Sequence, residues 1–318
     1  MSSAPILYLV IPCYNEEEVL PETLRQINGK LSRMIEADTC HPDSRILFVD
    51  DGSRDSTWSL IEGAFTENER VCGVKLARNR GHQNALFAGL MTAKEFADCV
   101  ISMDADLQDD IEVLDEFVAK FRDGCDIVYG VRKERKTDTH FKRSTAQGFY
   151  RFMHLMGADV VYNHADYRLM SRRALDSLAQ YGETNLFLRG IVTDIGYRSD
   201  IVYYDRRERF AGKSKYPFKK MLSFAVDGIT SFSNKPLTII SNAGIVISLL
   251  SVLGLIYALV SKFFFESAVA GWTAIVASIW LLGGIQLFCL GIIGCYIGKV
   301  FSEVKHRPKY ITEQFLKK

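Results

Sequence analysis

The chain of 318 residues carries 39 Lys and Arg against 38 Asp and Glu, so its formal net charge is +1. This balance excludes a nucleic-acid binder that works through bulk positive charge, and the hydrophobic share of 48% excludes a disordered chain. The seven cysteines are odd in number and include no C-x-x-C pair, so we expect neither a disulfide framework nor a zinc site. Because no signal peptide is apparent, we expect the first part of the chain to stay in the cytoplasm.

The first part of the chain alternates short apolar runs with longer amphipathic stretches. Predicted strands cover residues 6–11, 46–49, 71–76, 100–103 and 126–129. Predicted helices between them cover residues 16–35, 56–65, 83–97 and 111–121. This alternation is typical of βαβ units, so we predict an α/β fold with a mainly parallel sheet flanked by helices. Ligands of such sheets bind at the carboxyl ends of the strands.

The composition changes after Pro236. Residues 237–260 and 271–298 contain no charged side chain, and about 20 apolar residues suffice to cross a bilayer. Basic residues flank both segments, whereas Lys262 and Glu266 are the only charged residues in the short connection between them. We therefore predict a hairpin of two transmembrane helices, with both termini on the cytoplasmic side by the positive-inside rule.

Between the α/β part and the first span lies an amphipathic stretch, residues 216–234, with lysines crowded at its start. We expect it to lie at the membrane surface, and an ordinary helix that faces a protein core is the alternative. The predicted organisation is a cytoplasmic α/β domain over 1–210, a membrane-surface segment over 211–236, the hairpin over 237–298 and a cytoplasmic tail over 299–318.

Two carboxylates follow the predicted strand 100–103. Asp104 and Asp106 are two residues apart and can converge on one hard cation, to which Gln108 offers a further oxygen. Oxygen ligands suit Mg²⁺ or Mn²⁺, and Mg²⁺ sites are usually completed by substrate phosphates. Acidic turns are also common, so this motif by itself leaves a plain turn open.

Two further polar loops follow predicted strands. Asp50, Asp51 and Gly52 come directly after the second strand, and Tyr14 and Glu16 come after the first. Either loop alone is compatible with an ordinary β–α turn. Because the carboxyl ends of parallel strands share one edge of a sheet, we expect these loops to lie near the D-x-D loop.

These motifs together resemble those of the family 2 glycosyltransferases. The resemblance rests on Pro12–Glu17, Val49–Thr57, Arg78–His82 and Asp104–Asp109. Later motifs are similar to those of the polyprenyl-phosphate glycosyltransferase branch, and within it of the bactoprenol glucosyltransferases. They are Asp166–Met170, Asn185–Gly190, Arg206–Tyr216, Ser231–Ser233 and Arg307–Tyr310.

The resemblance implies a GT-A nucleotide-sugar-binding fold and an inverting, metal-dependent hexosyltransferase. Its donor would be a UDP-sugar, with UDP-glucose expected first, its acceptor undecaprenyl or another polyprenyl phosphate, and its cofactor Mg²⁺ or Mn²⁺. The enzyme would be a multi-pass protein of the inner or plasma membrane, in contact with membrane lipids and assembled as a homo-oligomer, a tetramer by resemblance. A stripe of small residues on the second span suits either the hairpin or an oligomer.

The resemblance also implies roles for individual residues. Nucleoside and donor contacts are expected from Pro12, Tyr14, Glu16, Asp50 and Asp104. Metal and diphosphate contacts are expected from Asp104, Asp106 and Gln108. The acceptor phosphate is expected at Arg132, Arg143, Arg206, Arg209 and Lys215. The catalytic set is expected to be Asp166 at the reaction centre with Asp106 and Arg209.

Three alternatives stay open at this point. The donor could be UDP-GlcNAc, another UDP-sugar or GDP-mannose, since the motifs do not separate these. A processive polysaccharide synthase would usually carry more spans and a Q-x-x-R-W motif, and the sequence has neither. A non-catalytic membrane scaffold with a retained transferase fold is the alternative of another class, and the intact acidic motifs argue against it.

Overall fold

The structure is a computed structural model and describes residues 4–133, 164–183, 186–205, 235–244, 246, 249, 253 and 272–318. It divides into two compact units. One unit holds the sheet together with the C-terminal segment Arg307–Lys318, and the other holds the described helical residues from 235 to His306. The site is built entirely within the first unit.

Eight described strands form one sheet in the order β7-β5-β6-β4-β1-β2-β3-β8. The strands are β1 (Leu7–Cys13), β2 (Arg45–Asp50), β3 (Val71–Leu76), β4 (Cys99–Ser102), β5 (Ile127–Arg132), β6 (His164–Ser171), β7 (Ser199–Tyr204) and β8 (Thr312–Leu316). The helices of this unit are α1 (Leu20–Glu36), α2 (Thr57–Glu67), α3 (His82–Ala93), α4 (Leu114–Arg122), α5 (Arg172–Ala179) and α6 (Leu188–Asp194), with a 3₁₀ turn at Ile111–Val113.

The predicted parallel sheet is confirmed for its central strands. β1 pairs in parallel with β2 and β4, β2 with β3, and β5 with β7. Strand β6 departs from this pattern, because it runs antiparallel between β4 and β5. Its register pairs Arg168 with Ser102, so the beginning of β6 lies beside the carboxyl end of β4. An antiparallel strand thereby adds its first residues to the edge where the parallel strands end.

The core lies on both faces of the central strands. Every residue of β1 is buried, as expected for a strand that helices cover on both sides. Helix α1 contributes one apolar face, on which Leu20, Ile27, Leu31 and Met34 are buried. Each such side chain stabilises the fold by roughly 1.5–3 kcal/mol through removal of apolar surface from water. The 3.6-residue period of α1 is thus explained by its packing against the sheet.

Two predicted helix boundaries are wrong by about one helical turn. The first helix begins at Leu20 rather than at Glu16. Before it, the Glu16 carbonyl accepts hydrogen bonds from the Val19 and Leu20 amides in a separate turn, and Asn15 has a positive φ of 53°. The third helix ends at Ala93 rather than at residue 97. In both places a hydrogen-bonded turn takes the place of the predicted end of the helix.

The C-terminal tail supplies an edge strand that the pattern did not predict. Strand β8 pairs antiparallel with β3, and the Lys75 Nζ lies 3.1 Å from the Glu313 Oε1 across that pair. The Phe315 ring stacks on Phe96, with 6.2 Å between ring centroids. The last residues of the chain therefore cover an edge that β3 would otherwise present to solvent.

The second unit contains a long apolar helix, α7 (Trp272–Val304), which continues beyond the predicted end at residue 298. Within the described residues, Leu282–Val304 is the one helix long and apolar enough to cross a membrane. Residues 235–244 are also helical, but most of the predicted first span, 237–260, lies outside the described residues. The two-helix hairpin is therefore not confirmed, and the predicted segment 216–234 likewise lies outside the described residues.

Candidate active site

The loops after β1 and β2 are joined by hydrogen bonds at the carboxyl ends of their strands. The Asp51 amide donates to the Cys13 carbonyl at 2.9 Å. The Asn15 amide donates to the Ser53 hydroxyl at 3.0 Å, and the Asn15 side-chain oxygen accepts from the Arg54 amide at 2.9 Å. The positive φ of Asn15 allows this loop to turn back on its neighbour. The two loops thus form one rigid rim beside the site.

Two consecutive carboxylates end β2 and organise the neighbouring loops. Asp50 has no exposed surface, and its Oδ1 accepts from the Ser53 amide at 3.2 Å. The carboxylate of Asp51 accepts from the amides of Arg80 and Gly81 at 2.7 and 2.9 Å, so it holds the loop that follows β3. Burial raises the pKa of both carboxyl groups, against the hydrogen bonds that they accept.

The D-x-D loop follows β4. The Asp106 Oδ1 accepts from the Gln108 amide at 3.2 Å, and the Leu107 between them takes a positive φ of 56°. From the other side, the Thr23 hydroxyl of α1 donates to the Ala105 carbonyl at 2.7 Å. The loop is therefore tied to α1, while the Asp104 side chain keeps 38% of its surface exposed.

Asp166 lies at the beginning of β6 and is bound by two guanidinium groups. The Arg168 Nη2 lies 2.7 Å from its Oδ1, and the Arg189 Nε and Nη2 lie 3.3 and 3.4 Å from its two oxygens. The Gln83 amide nitrogen donates to Oδ2 at 3.2 Å. Burial would raise the pKa of Asp166, but hydrogen bonding to His82 and the charges of both arginines hold it well below its usual range.

His82 connects Asp166 to the D-x-D loop. Its Nε2 lies 3.4 Å from the Asp166 Oδ2 and 3.7 Å from the Asp104 Oδ1. Burial would lower the pKa of His82, but the hydrogen bond with Asp166 and the charges of both carboxylates raise it to about 9. The imidazole is therefore cationic at neutral pH, with 43% of its side chain exposed to the site.

Arg132 at the end of β5 belongs to a buried polar network. Its Nε donates to the Tyr204 hydroxyl at 3.1 Å, and that hydroxyl donates to the Asp109 Oδ1 at 2.6 Å. The Arg132 Nη2 also lies 3.6 Å from the same oxygen. Burial, together with the charge of Asp104, raises the pKa of Asp109 to about 6. The network joins the end of the D-x-D loop to β5 and β7.

The predicted nucleoside residues lie along the rim formed by the first two loops. Pro12 is buried within β1, and Tyr14 is 39% exposed. The Glu16 amide donates to the Thr57 hydroxyl at 2.9 Å. Of these residues, Tyr14 presents the most open surface to a base. Their roles as nucleoside contacts stay predictions.

Of the predicted acceptor residues, only Arg132 lies in the described part of the chain. The others, Arg143, Arg206, Arg209 and Lys215, lie outside the described residues. Conversely, the structure brings into the site residues without an individually predicted role, among them Gln83, Arg168 and Arg189. Arg189 stands within a motif that carried the family resemblance, whereas no local pattern marks Gln83.

The oxygen-bearing side chains of the D-x-D loop fit a divalent cation whose coordination a bound nucleotide would complete. Among the described residues, no three His, Cys, Asp or Glu side chains are grouped to hold a metal ion by themselves. The oxygen donors of Asp104, Asp106 and Gln108 are nevertheless the kind that Mg²⁺ and Mn²⁺ take. Few protein ligands leave coordination positions for phosphate oxygens and water, as in many Mg²⁺ sites with phosphate substrates.

Comparisons with known proteins agree on one family. Residues 8–179 match the model described as Glycosyl transferase family 2. The chain is 56% identical to the uncharacterized glycosyltransferase YkoT of Bacillus subtilis (strain 168) over 98% of this chain and 92% of the relative. It is 38% identical to the bactoprenol glucosyl transferase of Shigella phage SfV over 96% and 97% of the two chains. It is 37% identical to the prophage bactoprenol glucosyl transferase homolog of Escherichia coli (strain K12) over 97% and 99%.

Proposed function

Because the chain belongs to the family 2 glycosyltransferases, we propose that it transfers a hexose from a UDP-sugar to a polyprenyl phosphate. UDP-glucose is the first donor to test and undecaprenyl phosphate the first acceptor. The observation that carries the proposal is the convergence of the D-x-D loop with Asp166 and its two arginines, linked by His82. Relatives named as bactoprenol glucosyl transferases match over nearly the whole chain and support the lipid acceptor.

In this proposal, the donor half of the site stabilises the negative charge that develops on the leaving group. In the proposed reaction the bond from the sugar C1 to the diphosphate breaks, and its electron pair leaves with UDP. Mg²⁺ or Mn²⁺ held by Asp104, Asp106 and Gln108 would neutralise that developing charge. His82, whose Nε2 lies 3.7 Å from the Asp104 Oδ1 and 3.4 Å from the Asp166 Oδ2, would add a hydrogen-bond donor on the side of Asp166.

The acceptor half needs no strong general base. A phosphate monoester has its second pKa near about 6, so the acceptor oxygen that bonds to C1 is already anionic at neutral pH. Asp166, which two arginines engage, is better suited to orienting groups at the reaction centre than to taking a proton. We assign the acceptor phosphate to the predicted set of Arg132, Arg143, Arg206, Arg209 and Lys215. The four arginines suit this role because guanidinium groups bind phosphate in bidentate geometry. A single displacement of this kind inverts the configuration at C1.

A membrane location follows from the acceptor, because a polyprenyl chain cannot leave the bilayer cheaply. The apolar helix Leu282–Val304 supports it, and its side chains such as Leu287 and Phe288 are 73% and 69% exposed. We propose two spans, at 237–260 and within α7, with both termini cytoplasmic and the segment 216–234 at the headgroup plane. Assembly as a homo-tetramer is part of the same proposal.

A transfer assay tests the function. Purified full-length protein in detergent receives undecaprenyl phosphate, Mg²⁺ or Mn²⁺ and, in turn, UDP-glucose, UDP-GlcNAc, UDP-galactose and GDP-mannose. Mass spectrometry of the lipid then identifies the product, with Asp106→Asn as the inactive control. We expect one sugar-phosphate-lipid from a UDP-hexose, absent with the control variant. A product from GDP-mannose alone would overturn the donor, and no product from any donor would favour the scaffold alternative.

A further inference from the structure

Gln83, near the beginning of α3, bridges two other elements of the site through its side-chain amide. Its Nε2 donates to the Asp166 Oδ2 of β6 at 3.2 Å. Its Oε1 accepts from the Leu188 amide, the first residue of α6, at 3.2 Å. One side chain therefore connects three elements that are far apart in the sequence.

Both of these contacts determine the orientation of the Gln83 amide. The Leu188 N–H can only donate, and an ionised Asp166 carboxylate can only accept. A flipped amide would place two donors against each other on one side and two acceptors on the other. Glutamine meets both requirements, whereas glutamate would place an anionic oxygen against Asp166. Leucine would lose both contacts.

The contacts of Gln83 close a ring of hydrogen bonds. Arg168 donates through Nη1 to the Leu188 carbonyl at 3.3 Å and through Nη2 to the Asp166 Oδ1 at 2.7 Å. The Asp166 Oδ2 in turn accepts from Gln83. Each oxygen of the carboxylate is thus held from a different side, so the plane of Asp166 is fixed relative to α6. The next residue of that helix is Arg189, which also contacts Asp166.

We propose that Gln83 is a positioning residue of the glycosyl transfer, which orients the Asp166 carboxylate through its amide nitrogen and the first turn of α6 through its amide oxygen. The inference rests on the proposed function, in which Asp166 lies at the reaction centre. A carboxylate that rotates away from its reacting geometry lowers the rate of the chemical step more than it weakens substrate binding.

Two substitutions separate positioning from a merely structural role. Gln83→Glu preserves size and the acceptor for Leu188, but turns the donor toward Asp166 into an anionic oxygen. Gln83→Leu removes both contacts. We expect kcat to fall about tenfold or more for each, with Gln83→Glu at least as damaging as Gln83→Leu and the donor KM within about threefold of the wild type. If Gln83 only supported the first turn of α6 through Leu188, the order of the kcat losses would be reversed, with Gln83→Glu close to the wild type.

The controls use the same helix and the same assay. Thr92→Ala removes a hydrogen bond within α3, from the Thr92 hydroxyl to the Ala88 carbonyl at 2.9 Å, and should leave kcat unchanged. Thermal unfolding and UDP-binding calorimetry show whether each variant is folded, and Gln83→Glu decides the test if Gln83→Leu does not fold. Wild-type transfer with an undamaged Gln83→Glu overturns the positioning role alone. No transfer by the wild type overturns the proposed function, and this inference with it.

Discussion

The Arg168 Nη2 lies 2.7 Å from the Asp166 Oδ1, and both side chains are buried. The two residues are two positions apart on β6, so they project from the same face of the sheet. Tyr167 between them lies on the other face, where its ring packs 4.8 Å from Phe117 and 5.2 Å from Tyr204 between ring centroids. One short strand therefore supplies a buried ion pair on one side and an aromatic cluster on the other.

Replacing only one partner of this ion pair should destabilise the folded protein. Arg168→Met removes one of the two guanidinium groups that engage the buried Asp166 carboxylate and leaves Arg189 as the other, so we expect the free energy of unfolding to fall by about 1–3 kcal/mol. The measurement is thermal unfolding in detergent. Arg173→Met, which removes an exposed partner of Asp126, is the matched control and should hardly change the midpoint. The double change Asp166→Asn with Arg168→Met should be milder than Arg168→Met alone, and equal losses would contradict the prediction.

Gly52 should not tolerate a side chain. Its φ is +66°, and a Cβ there would lie 2.6 Å from the Asn79 amide nitrogen in the loop after β3. We expect Gly52→Ala to cost about 1–2 kcal/mol for the left-handed backbone alone, and to raise the donor KM because the Asp51 loop shifts. Gly29→Ala in α1, where a Cβ meets nothing within 4 Å, should instead be neutral or stabilise by about 0.5–1 kcal/mol. Similar melting midpoints for the two variants would refute this reading of the turn.

Asp106→Asn should damage turnover far more than folding. The amide oxygen of Asn can still accept from the Gln108 amide, as Asp106 does, but it gives a cation no negative charge. We expect kcat to fall by about 10²–10³ with saturating Mg²⁺ or Mn²⁺, at an unchanged melting midpoint. Asp43→Asn, at a carboxylate with 64% exposed side chain, is the control. Near wild-type turnover of Asp106→Asn with metal present would remove Asp106 from the metal site.

Arg209 should act on the lipid side of the reaction. Arg209→Ala removes one guanidinium from the predicted acceptor site, and we expect the KM for undecaprenyl phosphate to rise by roughly 10-fold or more. The donor KM should change little. The KM of Arg209→Lys for undecaprenyl phosphate should lie between those of the wild type and Arg209→Ala, because lysine keeps the charge without the bidentate geometry. Arg25→Ala on the exposed face of α1 serves as the control. A rise confined to the donor KM would move Arg209 to the donor side.

Local sequence patterns predict the loops at the ends of the parallel strands better than they predict the surroundings of Asp166. Asp104, Asp50 and Tyr14 stand at or just beyond the ends of buried strands, and their shared edge follows from parallel pairing of local βαβ units. Asp166 was recognised only through its family motif, because nothing local shows that its strand runs antiparallel to β4. Gln83 carried no signal, since its partners Asp166 and Leu188 are 83 and 105 residues away.

Features that depend on local periodicity and composition can be predicted from the sequence. These are the apolar strands, the amphipathic helices between them, the polar loops at the strand ends and the uncharged stretch that forms most of α7. The pairing of the strands is known from the three-dimensional structure alone. That structure placed β6 antiparallel inside the sheet and β8 on its edge, and so closed the hydrogen-bond ring around Asp166. The physical reason is that backbone pairing and side-chain amide contacts depend on the groups that neighbouring segments offer in space, which no local stretch of sequence contains.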